Sequence, residues 1–152
     1  MGDAYTAIGQ QTVIATPDSM LGVTQPSSTS GVRGRVFEWT MGTTGTASDD
    51  TLLYTIQRTT AIGTGSTPTI EPLDTSAPTN NLTARDNYTV EPTTGDALMD
   101  FPLNVRATFR WVAYPGRELM IPNTNSAGIV NTPAQATGSY VGDCSSTVYW
   151  EE

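Results

Sequence analysis

Histidine and lysine are both missing from the 152 residues, and the seven basic side chains are all arginines: Arg33, Arg35, Arg58, Arg85, Arg106, Arg110 and Arg117. Without histidine there is no Ser-His-Asp or Cys-His nucleophile pair and no His-ligated zinc site. Without lysine there is no phosphate-binding P-loop, Schiff base or lysine general base. Cysteine is nearly absent too. The single Cys144 excludes an internal disulfide and, lacking a base to activate it, reads as a small buried hydrophobe. Charged residues make up only 14%, against about 25% in an ordinary soluble domain. Their formal balance of −8 argues against nucleic acid or an anionic membrane as a partner. No run reaches the ~18 apolar residues of a spanning helix. The opening Met1-Gly2-Asp3-Ala4-Tyr5-Thr6 lacks the basic and apolar regions of a signal peptide, so folding in a reducing cytoplasm is expected. Asp3 also argues against reading Met1-Gly2 with Thr6 as a myristoylation signal.

The missing charge is replaced by threonine, about one residue in six, which is β-branched and polar and suits exposed sheet faces. The chain therefore reads as all-β and, at this length, as one domain able to bury about two thirds of its unfolded surface. Residues 1–30 carry few large apolar side chains (Tyr5, Ile8, Val13, Ile14, Met20, Leu21). They are interrupted by Pro17 and Pro26 and end in a Ser/Thr-rich connector, so they read as an N-terminal arm. Denser alternation follows over residues 35–41 (Phe37, Trp39, Met41) and 52–58 (Leu52, Tyr54, Ile56). The clearest strand spans 103–114, with Leu103, Val105, Phe109 and Trp111 on one face and Arg106 and Arg110 on the other. Pro115-Gly116 predicts a type II turn, read as the tip of a hairpin returning over 118–121. With shorter candidates at 69–73, 87–91, 127–131 and 147–151, residues 31–152 give a single jelly-roll-like β-sandwich of about eight antiparallel strands.

The sharpest enzymatic motif is Leu73-Asp74-Thr75-Ser76-Ala77, which looks like the Asp-Thr-Ser/Gly signature of aspartic proteases, whose chemistry needs no histidine. Threonine is so abundant that the triplet is cheap by chance, and Pro72 and Pro78 bracket it as a turn in which Asp74 caps its own backbone. The other carboxylates fall in loops without EF-hand spacing, and the sequons at Asn81 and Asn87 are those expected by accident. No catalytic, cofactor or metal residues are assigned. Trp39 and Trp111 share faces with apolar neighbours and read as core rather than as sugar-stacking platforms, whereas Trp150 beside Tyr149 reads as an interface residue. Arg33, Arg35, Arg106 and Arg110 are candidates for pairing with carboxylates within the fold or across an interface.

The segment Phe101-Pro102-Leu103-Asn104-Val105-Arg106-Ala107-Thr108-Phe109-Arg110-Trp111-Val112-Ala113-Tyr114-Pro115-Gly116-Arg117-Glu118-Leu119 carries a resemblance. With residues 50–60, Gly63-Thr64-Gly65 and the closing Trp150-Glu151, it resembles the small β-sandwich virion proteins of tailed bacteriophages, most of all capsid decoration (cement) proteins. The resemblance spans residues 32–152 and rests on turns and strand patterns without catalytic content. It implies a non-enzymatic protein, made in the host cytoplasm, that binds the major capsid protein on the outer capsid surface and clamps the coat lattice. A homotrimer would match the three-fold junctions of a capsid, with residues 1–30 added as an intermolecular strand to a neighbour. The alternatives are a carbohydrate-binding or host-recognition module of a tail or fibre, and an aspartic protease using Asp74.

Overall fold

Period-two alternation, which turns every second side chain to the same face of a strand, sorts three of the long strands, over residues 4–13, 51–61 and 142–151, into an inner and an outer row. A computed structural model describes residues 2–13, 18–26, 31–137 and 140–152. The strands are β1 (Ala4–Val13), β2 (Leu21–Thr24), β3 (Gly34–Thr43), β4 (Thr51–Ala61), β5 (Thr64–Ser66), β6 (Ile70–Pro72), β7 (Thr83–Val90), β8 (Thr93–Asn104), β9 (Phe109–Val112), β10 (Leu119–Ile121), β11 (Gly128–Thr137) and β12 (Gly142–Glu151). No helix is present among the described residues. Two antiparallel sheets result: sheet A in the order β10-β3-β12-β1-β6, with β9 also on β3, and sheet B in the order β5-β7-β2-β11-β4-β8.

Without β5, β6 and β7 the remaining rows are β1-β12-β3-β9/β10 and β2-β11-β4-β8. The chain crosses between the sheets at every step except β4 to β8 and β9 to β10, and that succession of Greek keys is a jelly roll. The fold class read from the sequence is the fold observed. The β5–β7 segment is an insertion between β4 and β8. It lengthens sheet A beside β1, through β6, and sheet B beside β2, through β7.

The expected arm is not separate from this body. β1 pairs along its whole length with β12, from Ala4↔Glu151 to Val13↔Gly142, and takes β6 on its other side. Tyr5, Ala7 and Val13 from β1, Met20, and Leu21 and Val23 from β2 all lie in the core. The boundary at residue 30 therefore does not divide the fold. The inner row of β1 (Tyr5, Ala7, Gly9, Gln11, Val13) is too small and polar to look like a core strand, yet it forms one because the large rings come from its neighbours. Tyr5 stacks on Trp150 at 6.0 Å, and its hydroxyl donates to the Pro78 carbonyl at 2.9 Å. Ile14, Pro17 and the connector residues 27–30 lie outside the described residues.

Three local readings also change. The expected strand over 103–114 is two strands, because the Asn104 carbonyl accepts from Ala107 N (2.8 Å) and its side chain from Arg106 N (2.9 Å), closing a turn. The type II turn forms as predicted, with Arg117 N donating to Tyr114 O at 2.8 Å and Gly116 at φ 80°, where a side chain would be strained. It does not close a hairpin, since β9 and β10 both pair with β3 and follow one another along its edge. Phe37 leaves the core row because β3 bulges there: Tyr149 faces Glu38 and Trp150 faces Val36, so Phe37 is the extra residue and its ring lies 6.3 Å from Tyr149. The other expected core positions point inward. Trp39, Leu52, Tyr54, Ile56 and Val105 are buried, with Leu103, Phe109 and Trp111 packed partly buried against them.

The chain end is latched onto the insertion. The Glu152 carboxylate accepts from Asn81 N (2.7 Å), Asn81 Nδ2 (3.0 Å), Leu82 N (3.0 Å) and Trp150 Nε1 (3.1 Å). Two of these donors flank Leu82, a core residue, so truncating the carboxylate loosens the packing as well as the bonds. Glu152→Ala is expected to cost about 1–3 kcal/mol, read as a lower denaturation midpoint with an unchanged β spectrum. Glu152→Gln should recover part of the loss.

Candidate functional site: the outer face of sheet A

The catalytic candidates are used structurally. Ser76 donates its backbone N–H (2.9 Å) and hydroxyl (2.7 Å) to Asp74 Oδ1 and holds that carboxyl below its usual range. This is the turn-capping geometry, and a protease dyad requires the opposite, a carboxyl that retains a shared proton. Cys144 is buried in the core, where desolvation pushes its thiol up to about 11 and Tyr54 OH lies 3.5 Å from its sulfur, so little thiolate forms at neutral pH. Trp39 and Trp150 are buried, and Trp39 Nε1 donates to Ser146 Oγ at 2.6 Å, so neither ring offers a face to a sugar. Among the described residues no three His, Cys, Asp or Glu side chains group as a metal centre, and no helix is long and apolar enough to cross a membrane.

The residues expected at an interface separate into two groups. Tyr5, Val13, Met20, Leu21 and Trp150 are inside the core of their own chain and cannot face a partner. Trp150 is covered by Tyr5 of the same chain rather than by a neighbouring subunit. Three of the arginines are paired internally. Arg110 holds Glu38 with a bidentate fork at 2.6 and 2.7 Å, Arg106 reaches Asp49 at 3.2 Å and Ser48 O at 3.1 Å, and Arg35 lies 3.9 Å from Glu151. Arg33 is exposed, and Ile8 is 59% exposed.

Ile8 leads to the surface that sequence reading missed. The register aligns Ile8, Thr147, Thr40 and Arg110 across β1, β12, β3 and β9, and Thr6, Tyr149, Glu38 and Val112 in the next row. These outward side chains make a face of threonine hydroxyls and methyls around the Phe37–Tyr149 ring pair, with Val112 and the turn-tip Tyr114 (82% exposed) at its rim. Two hollows mark its margins, one of about 170 Å³ beside Thr40, Gly42, Thr108 and Thr147, the other of about 380 Å³ beside Thr6, Ile8, Pro68 and Glu71. Gly42 keeps the first open, because a Cβ there would meet Thr108 Oγ1 at 3.0 Å. In a chain of formal charge −8 this face is nearly self-neutralised, Glu38 by Arg110 and Glu151 by Arg35. The rows come from strands far apart in sequence, so only the register reveals them.

The site and fold thus define a jelly-roll protein whose candidate functional feature is a surface. Comparison with family models, with curated proteins and with solved structures gives no match for the chain.

Proposed function

We propose that this is a non-enzymatic virion structural protein that docks on the outer surface of an icosahedral capsid through the outer face of sheet A, contacts the major capsid protein and clamps neighbouring coat subunits. The observation that carries the reading is the charge-compensated face of Ile8, Thr6, Thr40, Thr147, Tyr149 and Val112 on an otherwise acidic protein. A docking face must lose its water cheaply, and paired charges with threonine and aromatic side chains desolvate at lower cost than isolated carboxylates. The jelly roll is a recurrent architecture of virion proteins, and the resemblance of residues 32–152 to phage decoration proteins points the same way.

Assembly as a closed homotrimer would place three such faces around a three-fold junction and would give a mass three times 16.2 kDa by light scattering. β1 is already paired within its own chain, so trimer contacts in this reading come from the body of the sandwich. Co-sedimentation with empty capsids tests the proposal. The wild type should pellet with capsids, and Ile8→Arg and Val112→Asp should each weaken binding about tenfold or more while leaving the β spectrum intact. Undiminished binding by both variants would refute the proposed face. Failure to pellet together with retention on host glycans would favour the recognition module.

A further inference from the structure

The edge of a sheet is a row of unpaired backbone groups, and the free edges of this sandwich are guarded on every strand but one. On β8 the bond from Val105 N to Asp50 O (3.1 Å) turns alternate residues toward β4, so Asp100 and Pro102 stand on the outer edge. Proline offers no N–H there, and a carboxylate disfavours an added strand. Past β6 the edge of β1 is capped by Asp86 Oδ2, which accepts from Gln10 N at 3.4 Å. Arg58 covers the Met120 carbonyl of β10 at 2.9 Å, and Pro122 follows that strand. β5 and β6 are three residues each and are hemmed by Pro68 and Pro72. β9, four residues long, carries no such device, and its one charge, Arg110, is folded onto Glu38. Ala113 N donates to Phe37 O at 2.8 Å, so Phe109 and Trp111 direct their backbone groups to β3, and those of Arg110 and Val112 point away from it. No described residue bonds to them.

We propose that the free edge of β9 pairs antiparallel with β9 of a second copy of this chain, about a two-fold axis at Trp111. The backbone parity admits this register. Arg110 of each copy exchanges its N–H and C=O with Val112 of the other, and the two Trp111 residues form the close, non-hydrogen-bonded pair between them. The side chains suit it as well. On the inner face Trp111 meets Trp111, and each Phe109 meets Ala113 of the other copy, large against small, which covers rings that a single chain leaves partly exposed. On the outer face each Arg110 meets Val112, half exposed in the single chain, so no charge faces a like charge. With the other edges guarded, β9 of another copy is the one described edge free to receive it. Such an isologous contact is independent of a three-fold assembly and joins two chains or two trimers alike. One short strand pair makes a small interface, formed reversibly at high protein concentration.

Light scattering of the free protein, without capsids, tests this contact separately from capsid docking. Between about 10 µM and about 1 mM the mass should double from its low-concentration value. Val112→Pro should stay at that value with an unchanged β spectrum, because the N–H it removes faces away from β3. Trp111→Cys should oxidise to a two-chain disulfide, since its Cβ stands opposite its own copy and the native Cys144 is buried. Thr94→Cys on the guarded β8 edge should stay single-chain. Should Val112→Pro fail to fold, the cross-linking decides alone. Coincident mass curves for the wild type and a folded Val112→Pro, or a Trp111→Cys chain that cross-links no faster than Thr94→Cys, overturn the pairing.

Discussion

Deleting residues 1–13 is expected to unfold the protein outright. The deletion removes the ten-residue strand that lies between β12 and β6 in sheet A and leaves one edge of β12 without a partner along its whole length. It also strips Tyr5, Ala7 and Val13 from the core and uncovers the Trp150 ring that Tyr5 stacks on. Loss of a buried aromatic alone costs about 3–5 kcal/mol. With the ladder and two further core residues gone, the sum exceeds the roughly 5–15 kcal/mol that stabilises a domain of this kind. Circular dichroism and amide dispersion of the truncated chain should be those of an unfolded polypeptide. A truncated chain with a native β spectrum and unchanged melting would show instead that the segment is a detachable arm.

The second large effect is expected at Trp39. Its ring is fully buried at the centre of β3, opposite Trp111 on β9, and its indole N–H is matched by Ser146 Oγ, which itself donates to the Thr40 carbonyl at 2.9 Å. Trp39→Ala removes the ring and opens a cavity, and should cost about 3–5 kcal/mol in denaturant melts. Trp111→Ala, at a site only partly buried on an edge strand, should cost about 1–2 kcal/mol. Equal losses at the two positions would contradict the burial difference on which the expectation rests.

Trp39 and Trp111 also show what sequence can reveal. Both were readable as inward-facing, as were Leu52, Tyr54 and Ile56, because strict alternation of large apolar residues has one physical meaning on a strand. The type II turn at Pro115-Gly116 was readable for a similar reason, since its residues supply the required φ values. β1 was not, because its place in the core depends on aromatic partners from β12 and not on its own side chains. The turn after Asn104 was hidden too: it keeps Val105 and Phe109 facing inward, so alternation passes through it unbroken. The docking face is a product of register between distant segments, such as Ile8 with Thr147, and carries no local signature. The arginines left two readings open because an exposed Arg on a strand reads the same whether its carboxylate is on the next strand, as for Arg110 and Glu38, or on another molecule.

The central claim is that this protein works by occupying and clamping a capsid surface. Binding to the assembled state alone stabilises that state by mass action. The direct measurement is the rupture temperature of capsids prepared without the protein and then saturated with it. The decorated capsids should rupture at a clearly higher temperature, and the Ile8→Arg protein should fail to raise it. Identical rupture temperatures with and without saturating protein would contradict the claim.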